Sequence, residues 1–336
     1  MMKSLYTDKK ILITGGTGTI GRFLTEELLR FNPRVIRIFS RDEYKQFEMQ
    51  QDLYEHRNIR YLIGDVRDEN RLERAMEDID FVFHLAAMKQ VPSCEYNPFE
   101  AVQTNVIGTQ NVIQAALATG VKKVLFTSTD KAIAPTNTYG ATKLTAERLI
   151  SAAQYQKGPK DTIFSSVRFG NVMGSRGSVI PLFKKQILNN GRVTVTDKNM
   201  LRYMMTPSQA IKLMLEANEK AQGGEVFVLK MPVIKLCDLV EILIEEVTKK
   251  YNVQEHIEIK QIGVRPGEKM YEELMTEDEL RIALETENMY IIQAPYSGQN
   301  EYEEVYSLKT IPKVSVEKVI NKEILRDWIL KERLIE

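Results

Sequence analysis

Near the N-terminus a short apolar run, Ile11-Leu-Ile-Thr14, meets Gly15-Gly-Thr-Gly-Thr-Ile-Gly21, and an amphipathic stretch follows over 20–31. A glycine cluster that closes a β-branched run and opens a helix constrains the chain more than any other feature. It makes 11–14 a buried strand and 20–31 a helix folded back on it. Gly15 permits the tight turn, Gly18 leaves the backbone bare, and Gly21 lets helix and strand approach. Bare backbone at a helix N-terminus offers free N–H groups to a pyrophosphate. The pattern predicts a dinucleotide site, with Thr17, Thr19 and Ile20 completing the turn.

The same alternation continues downstream. Residues 35–39, 59–63, 81–85 and 124–127 read as strands, and 43–56, 99–119 and 139–156 as helices. Near-continuous apolar strands between helices indicate a parallel sheet covered on both faces. Right-handed crossovers then give an α/β, Rossmann-like, doubly wound fold. After Ser166-Val-Arg-Phe-Gly170 the pattern loosens, and a helix at 207–217 and a strand at 226–229 follow. The expected division is a dinucleotide-binding domain of 1–170 with 203–232, and a smaller, discontinuous substrate domain of 171–202 with 233–336. Residues 314–336 carry apolar side chains at helical spacing and pack on the body or on another subunit.

Composition narrows the partners. Lys+Arg and Asp+Glu both number 46, so no net field favours nucleic acid or an anionic membrane. Cys94 and Cys237 are too few for a disulfide framework, and His56, His84 and His256 lack ligand spacing, so no metal is expected. The N-terminus has no signal-peptide pattern, and no apolar run approaches the ~18 residues of a membrane span. A cytoplasmic protein is expected.

The tip of the second strand bears on which dinucleotide fits. A carboxylate there usually takes the ribose hydroxyls of NAD. Here Ser40 and Arg41 come first, with Lys45 one turn on. A hydroxyl and a guanidinium suit a 2′-phosphate, which favours NADP. The other reading makes Arg41 a solvated helix-start residue and gives the 2′-hydroxyl to Asp42. Asp65 and Val66, past the third strand, are placed either to meet adenine or to cap a helix over 67–76. Ala86, Ala87 and Lys89 follow the fourth strand, at the carboxyl edge where ligands bind.

Tyr139 and Lys143 are four residues apart at the start of a helix pattern and so share a face. A phenol titrates near ~10, and a nearby ammonium and an oxidised nicotinamide favour its phenolate. The pair can take a proton from a hydroxyl while hydride leaves its carbon, and Lys143 can also hold the nicotinamide ribose.

With these residues in view the chain resembles the extended short-chain dehydrogenase/reductases. More narrowly, it is similar to the UDP-N-acetylglucosamine 4,6-dehydratases. The likeness runs from about Lys10 to Leu274. It rests on Ser128-Thr-Asp-Lys-Ala132, Tyr139-Gly-Ala-Thr-Lys143, Arg168-Phe-Gly-Asn-Val172, Gly174-Ser-Arg-Gly-Ser-Val179 and Arg265-Pro-Gly-Glu-Lys269. The resemblance implies that Tyr139 accepts the 4-hydroxyl proton and NADP takes hydride from C4. Lys131, if neutral, is then the base at C5, and protonated Asp130 donates to the departing 6-hydroxyl. Hydride returns to C6. Thr129 hydrogen-bonds the 4-oxygen, with Ser128 the weaker candidate. Hexose dehydratases acting on dTDP-glucose carry glutamate where this chain has Lys131, which favours the N-acetylglucosamine branch. Some membrane-anchored relatives carry methionine in place of Tyr139, so the tyrosine places this chain with the soluble enzymes.

A lysine base needs a lowered pKa, for which Lys143 and the cofactor could supply repulsion. Adjacent residues in a strand face opposite ways, so Asp130 and Lys131 reach one sugar only if the strand ends near Thr129. Pro135 fits a chain already in a loop.

At the substrate end, Lys89 faces the sugar by resemblance. Asn105 orders the site through water or makes a purely structural contact. Asn171 contacts sugar or phosphate by family pattern. Arg202 and Arg265 are candidates for the UDP diphosphate. Glu268 would meet the uridine ribose, and 175–179, from Ser175 to Val179, would line the nucleotide cleft. The expected partner is a UDP-sugar, and relatives are commonly homo-oligomers. The alternatives are an epimerase or ketosugar reductase on the same fold, or a dinucleotide-sensing binding protein. The adjacent acid and base count against both.

Overall fold

The computed structural model describes residues 5–254, 256–263, 267–294, 302–303, 305–312 and 314–336. Arg265 lies outside the described residues. The first half alternates as the sequence predicts. It runs β1 (Lys10–Thr14), α1 (Thr19–Leu29), β2 (Val35–Ser40), α2 (Glu43–Asp52), β3 (Ile59–Ile63), α3 (Glu69–Met76) and β4 (Phe81–His84). Two short helices, α4 (Val91–Tyr96) and α5 (Pro98–Val102), then lead through a π-helical turn, Gln103–Ile107, into α6 (Gly108–Thr119). β5 (Lys123–Thr129) ends in a 3-10 turn, Asp130–Ala132, before α7 (Thr138–Gln156) and β6 (Ile163–Phe169).

The second half is more broken. It holds β7 (Asn171–Val172), α8 (Val179–Asn190), β8 (Arg192–Val195), β9 (Leu201–Met205), α9 (Pro207–Lys220), β10 (Val226–Leu229), β11 (Val233–Lys235) and α10 (Leu236–Tyr251). β12 (Glu258–Gln261), α11 (Glu277–Leu280), β13 (Ala283–Glu285), β14 (Met289–Ile292), β15 (Tyr306–Ser307) and α12 (Lys322–Lys331) follow.

Ten strands form one sheet in the order β15-β13-β14-β10-β6-β5-β4-β1-β2-β3. The pairings from β3 to β10 are parallel, and those of β14, β13 and β15 are antiparallel. Successive β1 side chains go to opposite faces, as pleating requires. Ile11 and Ile13 join Leu24, Leu28 and Met214 in one buried cluster, whereas Leu12 joins Leu72, Val112 and Ile150 in another. The strand order reverses between β1 and β4, which opens a crevice at the carboxyl ends of the strands.

β13–β15 continue this sheet, although the expected division assigned 233–336 to the second domain. Antiparallel pairing of β14 on β10 covers an edge that would otherwise stand open. A third buried cluster joins Ile180 and Phe183 of α8, Leu239 and Leu243 of α10, and Leu325 and Ile329 of α12. The C-terminal tail thus packs on the body. Among the described residues no helix is long and apolar enough to cross a membrane.

Candidate active site

The turn after β1 is built by its glycines. Gly15 has φ +68°, and a Cβ there would meet Ala86 N at 2.8 Å, so turn and β4 loop touch backbone to backbone. At Gly21 a Cβ would meet Gly16 O at 2.4 Å, so the close approach is to the turn itself. Gly18 caps α1 in extended conformation with no side-chain cap, which leaves the helix N–H groups to a ligand.

A cavity of ≈ 460 Å³ opens over this turn. Its walls include Gly15, Thr17, Gly18, Thr19, Ile20, Gly21, Ser40, Arg41, Lys45, Asp65, Val66, Ala86, Ala87 and Lys89. The glycine cradle, the uncapped helix and the basic side chains fit a dinucleotide. Arg176, within the 175–179 stretch expected to line the nucleotide cleft, reaches the same cavity from the loop before α8.

Asp42 lines the cavity as well. Its carboxylate caps α2 by accepting from Lys45 N at 3.0 Å and pairs with Lys45 Nζ. Asp65 is held mainly by Arg67, which donates from its backbone N (3.0 Å), Nε (3.0 Å) and NH2 (2.8 Å), while Arg41 stands 3.4 Å away. Burial raises the Asp65 carboxyl, but the Arg67 hydrogen bonds outweigh it and keep it below the usual range. The cap of α3 is Asp68, not Asp65.

A second cavity of ≈ 260 Å³ shares Ile20, Leu85, Ala87, Lys89 and Ser175 with the first. Ser128, Thr129, Lys131, Tyr139, Lys143 and Asn171 also line it. Because β5 stops at Thr129, the 3-10 turn brings Asp130 and Lys131 to one side. Lys131 Nζ donates to Asp130 Oδ1 at 2.9 Å and lies 3.6 Å from Glu272 Oε1. Asp130 is fully buried behind it. Thr129 Oγ1 donates to Asp130 Oδ1 at 3.1 Å and accepts from Lys131 N at 3.4 Å. Ser128 lines the cavity, and its Oγ is buried without a partner among the described residues. Both Ser128 and Thr129 line the cavity, and the Thr129 hydroxyl also bonds Asp130.

Two expected electrostatic roles change. Burial alone would lower Lys131, but Asp130 and Glu272 outweigh it and hold the ammonium above its ordinary range. The resting lysine is therefore charged, not neutral. Burial raises the Tyr139 phenol, and the cation that opposes this is Lys131, with help from the Thr129 hydrogen bond. Lys143 is pulled down to about 7 by burial, with Glu147 opposing, and its Nζ sits 4.0 Å from the centre of the Phe126 ring.

Gly140 permits the contact between catalytic turn and helix, since a Cβ there would meet Lys131 O at 2.1 Å. Gly140→Ala is expected to push α7 off this turn and destabilise the fold by about 2 kcal/mol. An unchanged urea midpoint would contradict that.

Several expected ligand contacts lie elsewhere. Asn105 is buried in the π-helical turn, accepts from Met88 N (2.8 Å) and donates to Met88 O (3.0 Å) and Thr142 Oγ1 (3.0 Å). It fixes the loop carrying Lys89 rather than touching a cofactor. Val179 opens α8 and packs on the third cluster, while the preceding Ser178 lines the cavity. Arg202 spends its guanidinium on the carbonyls of Leu201 (2.9 Å), Lys269 (2.7 Å) and Met270 (2.7 Å), and pairs with Glu268 at 3.5 Å. Neither Arg202 nor Glu268 lines the two cavities, because each anchors the 267–270 loop.

A profile of polysaccharide biosynthesis proteins matches residues 11–294. The chain belongs to that family. It is an extended short-chain dehydrogenase/reductase. The chain is 45% identical over 290 residues to a UDP-N-acetylglucosamine 4,6-dehydratase (inverting) of Campylobacter jejuni, covering 86% of this chain and 84% of that one. It is 42% identical over 301 residues to a UDP-glucose 4-epimerase of Rickettsia bellii, covering 88% and 85%. The X-ray structure of Pen from Bacillus thuringiensis superposes with a TM-score of 0.92 at 57% identity, covering 98% of this chain and 99% of that one.

Proposed function

We propose that this chain is a UDP-N-acetylglucosamine 4,6-dehydratase that uses NADP. The observation carrying the proposal is the ion pair between Lys131, which lines a cavity with Tyr139, and Asp130, buried behind it, where that cavity adjoins the dinucleotide cleft. A nicotinamide bound in that cleft supplies a hydride acceptor for C4 and a hydride donor for C6. Tyr139, as the phenolate that the Lys131 ammonium favours, takes the proton of the 4-hydroxyl. The resulting ketone acidifies C5, whose proton goes to Lys131 Nζ. Asp130 gives a proton to the departing 6-hydroxyl, which leaves as water, and Lys131 reprotonates C5.

The charged resting pair is compatible with these roles. Asp130 carboxylate with Lys131 ammonium, and Asp130 acid with Lys131 amine, differ by one proton moved along a 2.9 Å hydrogen bond. A sugar that expels water favours the neutral form. Each turnover leaves the Tyr139 phenol protonated and Asp130 ionised. Thr129, which donates to Asp130 and lines the cavity with Tyr139, is the path that resets them.

Two features support NADP. Arg41 lines the cleft beside Ser40, and Asp42, which lines it too, pairs with Lys45. Arg41→Ala is expected to weaken NADPH binding about 10- to 100-fold, the worth of a charge-assisted hydrogen bond, and to leave NADH nearly unchanged. Fluorescence titration measures both, and equal losses would refute the phosphate pocket.

The epimerase name of a close relative makes 4-epimerisation the competing reading. A 4-epimerase has no task for an acid and a base at C6 and C5. Mass spectrometry after incubation with UDP-N-acetylglucosamine separates the two. Dehydration gives a sugar lighter by one water with no net change in cofactor, whereas epimerisation keeps the mass.

A further inference from the structure

Glu272 lies outside the family motifs quoted above, yet it completes the acid–base cluster. It is 4% exposed, with Oε1 3.6 Å from Lys131 Nζ and Oε2 unpartnered among the described residues. Asp130 holds the same ammonium at 2.9 Å, and its Oδ2 is likewise unpartnered. One lysine is thus bracketed by two buried carboxylates. The other described charges that reach Glu272 are Arg202 of β9 and Lys269, both cations, while Tyr139 faces Lys131 from α7.

We propose that Glu272 is a positioning residue whose protonation decides whether Lys131 can act as the base at C5. This rests on the dehydratase reading. With Glu272 protonated, Lys131 faces one carboxylate, and a single proton shift to Asp130 gives the amine and the acid that elimination needs. With Glu272 ionised, a second negative charge fixes the ammonium and withholds the base. Burial raises the Glu272 carboxyl above its ordinary range, with Lys131 opposing. Turnover then falls as pH rises through the titration of Glu272. Glu272→Gln carries the neutral form permanently.

The test is the pH profile of kcat and KM for UDP-N-acetylglucosamine dehydration, from about pH 6 to about pH 9. Wild type is expected to lose kcat on the alkaline side. Glu272→Gln is expected to hold kcat about 10-fold above wild type at the upper end, one pKa unit of displacement, with KM unchanged. A Glu272→Gln profile falling at the wild-type midpoint, or lowered uniformly at every pH, overturns the proposal. A second measurement needs neither turnover nor that variant. In NADP-loaded wild type, the Lys131 Nζ resonance, assigned through Lys131→Met, should remain that of an ammonium across the alkaline range. Its conversion to an amine there also overturns the proposal. Wild type that never dehydrates the sugar refutes the functional reading instead, and the lysine resonance still tests the hold of Glu272.

Discussion

Lys131→Ala is expected to lower dehydration of UDP-N-acetylglucosamine about 10³-fold, the usual worth of a positioned general base, while NADP binding is retained. Lys131 lines the smaller cavity and is absent from the walls of the dinucleotide cleft, so cofactor affinity has no reason to change. The loss has two sources. The base at C5 disappears, and so does the cation that opposes the raised pKa of the Tyr139 phenol. Asp130 and Glu272 would then share a buried site without their ammonium and would take up protons rather than remain charged. Rapid-quench assay of the sugar with parallel NADPH titration checks both halves. Turnover at the wild-type rate would remove the lysine from the mechanism.

Arg168→Ala is expected to destabilise the fold by about 3–5 kcal/mol, the cost of stripping one partner from a buried ion cluster. Arg168 is fully buried. It donates to Glu147 (2.6 and 3.2 Å), to Glu279 (3.0 and 2.9 Å) and to Leu274 O (2.8 Å). It ties β6 to α7 and α11, behind the helix that carries Tyr139 and Lys143. Burial raises the Glu279 carboxyl, but Arg168 outweighs it and holds it below the usual range. A carboxyl lowered by folding adds stability above its unfolded pKa and loses it as pH falls through the folded one. The gap between wild type and variant should therefore be widest near neutral pH and narrow in acid. Urea unfolding at two pH values measures it, and a gap that widens in acid would contradict the account.

The parts of this molecule that local sequence controls were the parts legible in it. Period and turn chemistry act over a few residues, so β1, its glycine turn and α1 could be placed from 11–31 alone. The strand read over 124–127 runs to Thr129 and stops there, as it had to for Asp130 and Lys131 to turn to one side. What was not legible depends on contacts distant in sequence. The helix expected over 99–119 carries a π-helical turn because Asn105 must reach Met88 and Thr142. β13 and β14 are too short to show a period, and they become strands by pairing onto the main sheet. Arg202 reads as a phosphate ligand until the 267–270 carbonyls that occupy it are seen. Glu272 sits beside a second glutamate between apolar residues, and only the fold brings it to Lys131.

The central claim is that one cavity oxidises C4, removes the 6-hydroxyl and returns the same hydrogen to C6. Proton and deuterium NMR of the product from UDP-N-acetylglucosamine deuterated at C4 tests it most directly. The account predicts a 4-keto-6-deoxy sugar whose methyl group carries the deuterium, with solvent hydrogen at C5. Deuterium retained at C4 of an intact or epimerised hexose would contradict it.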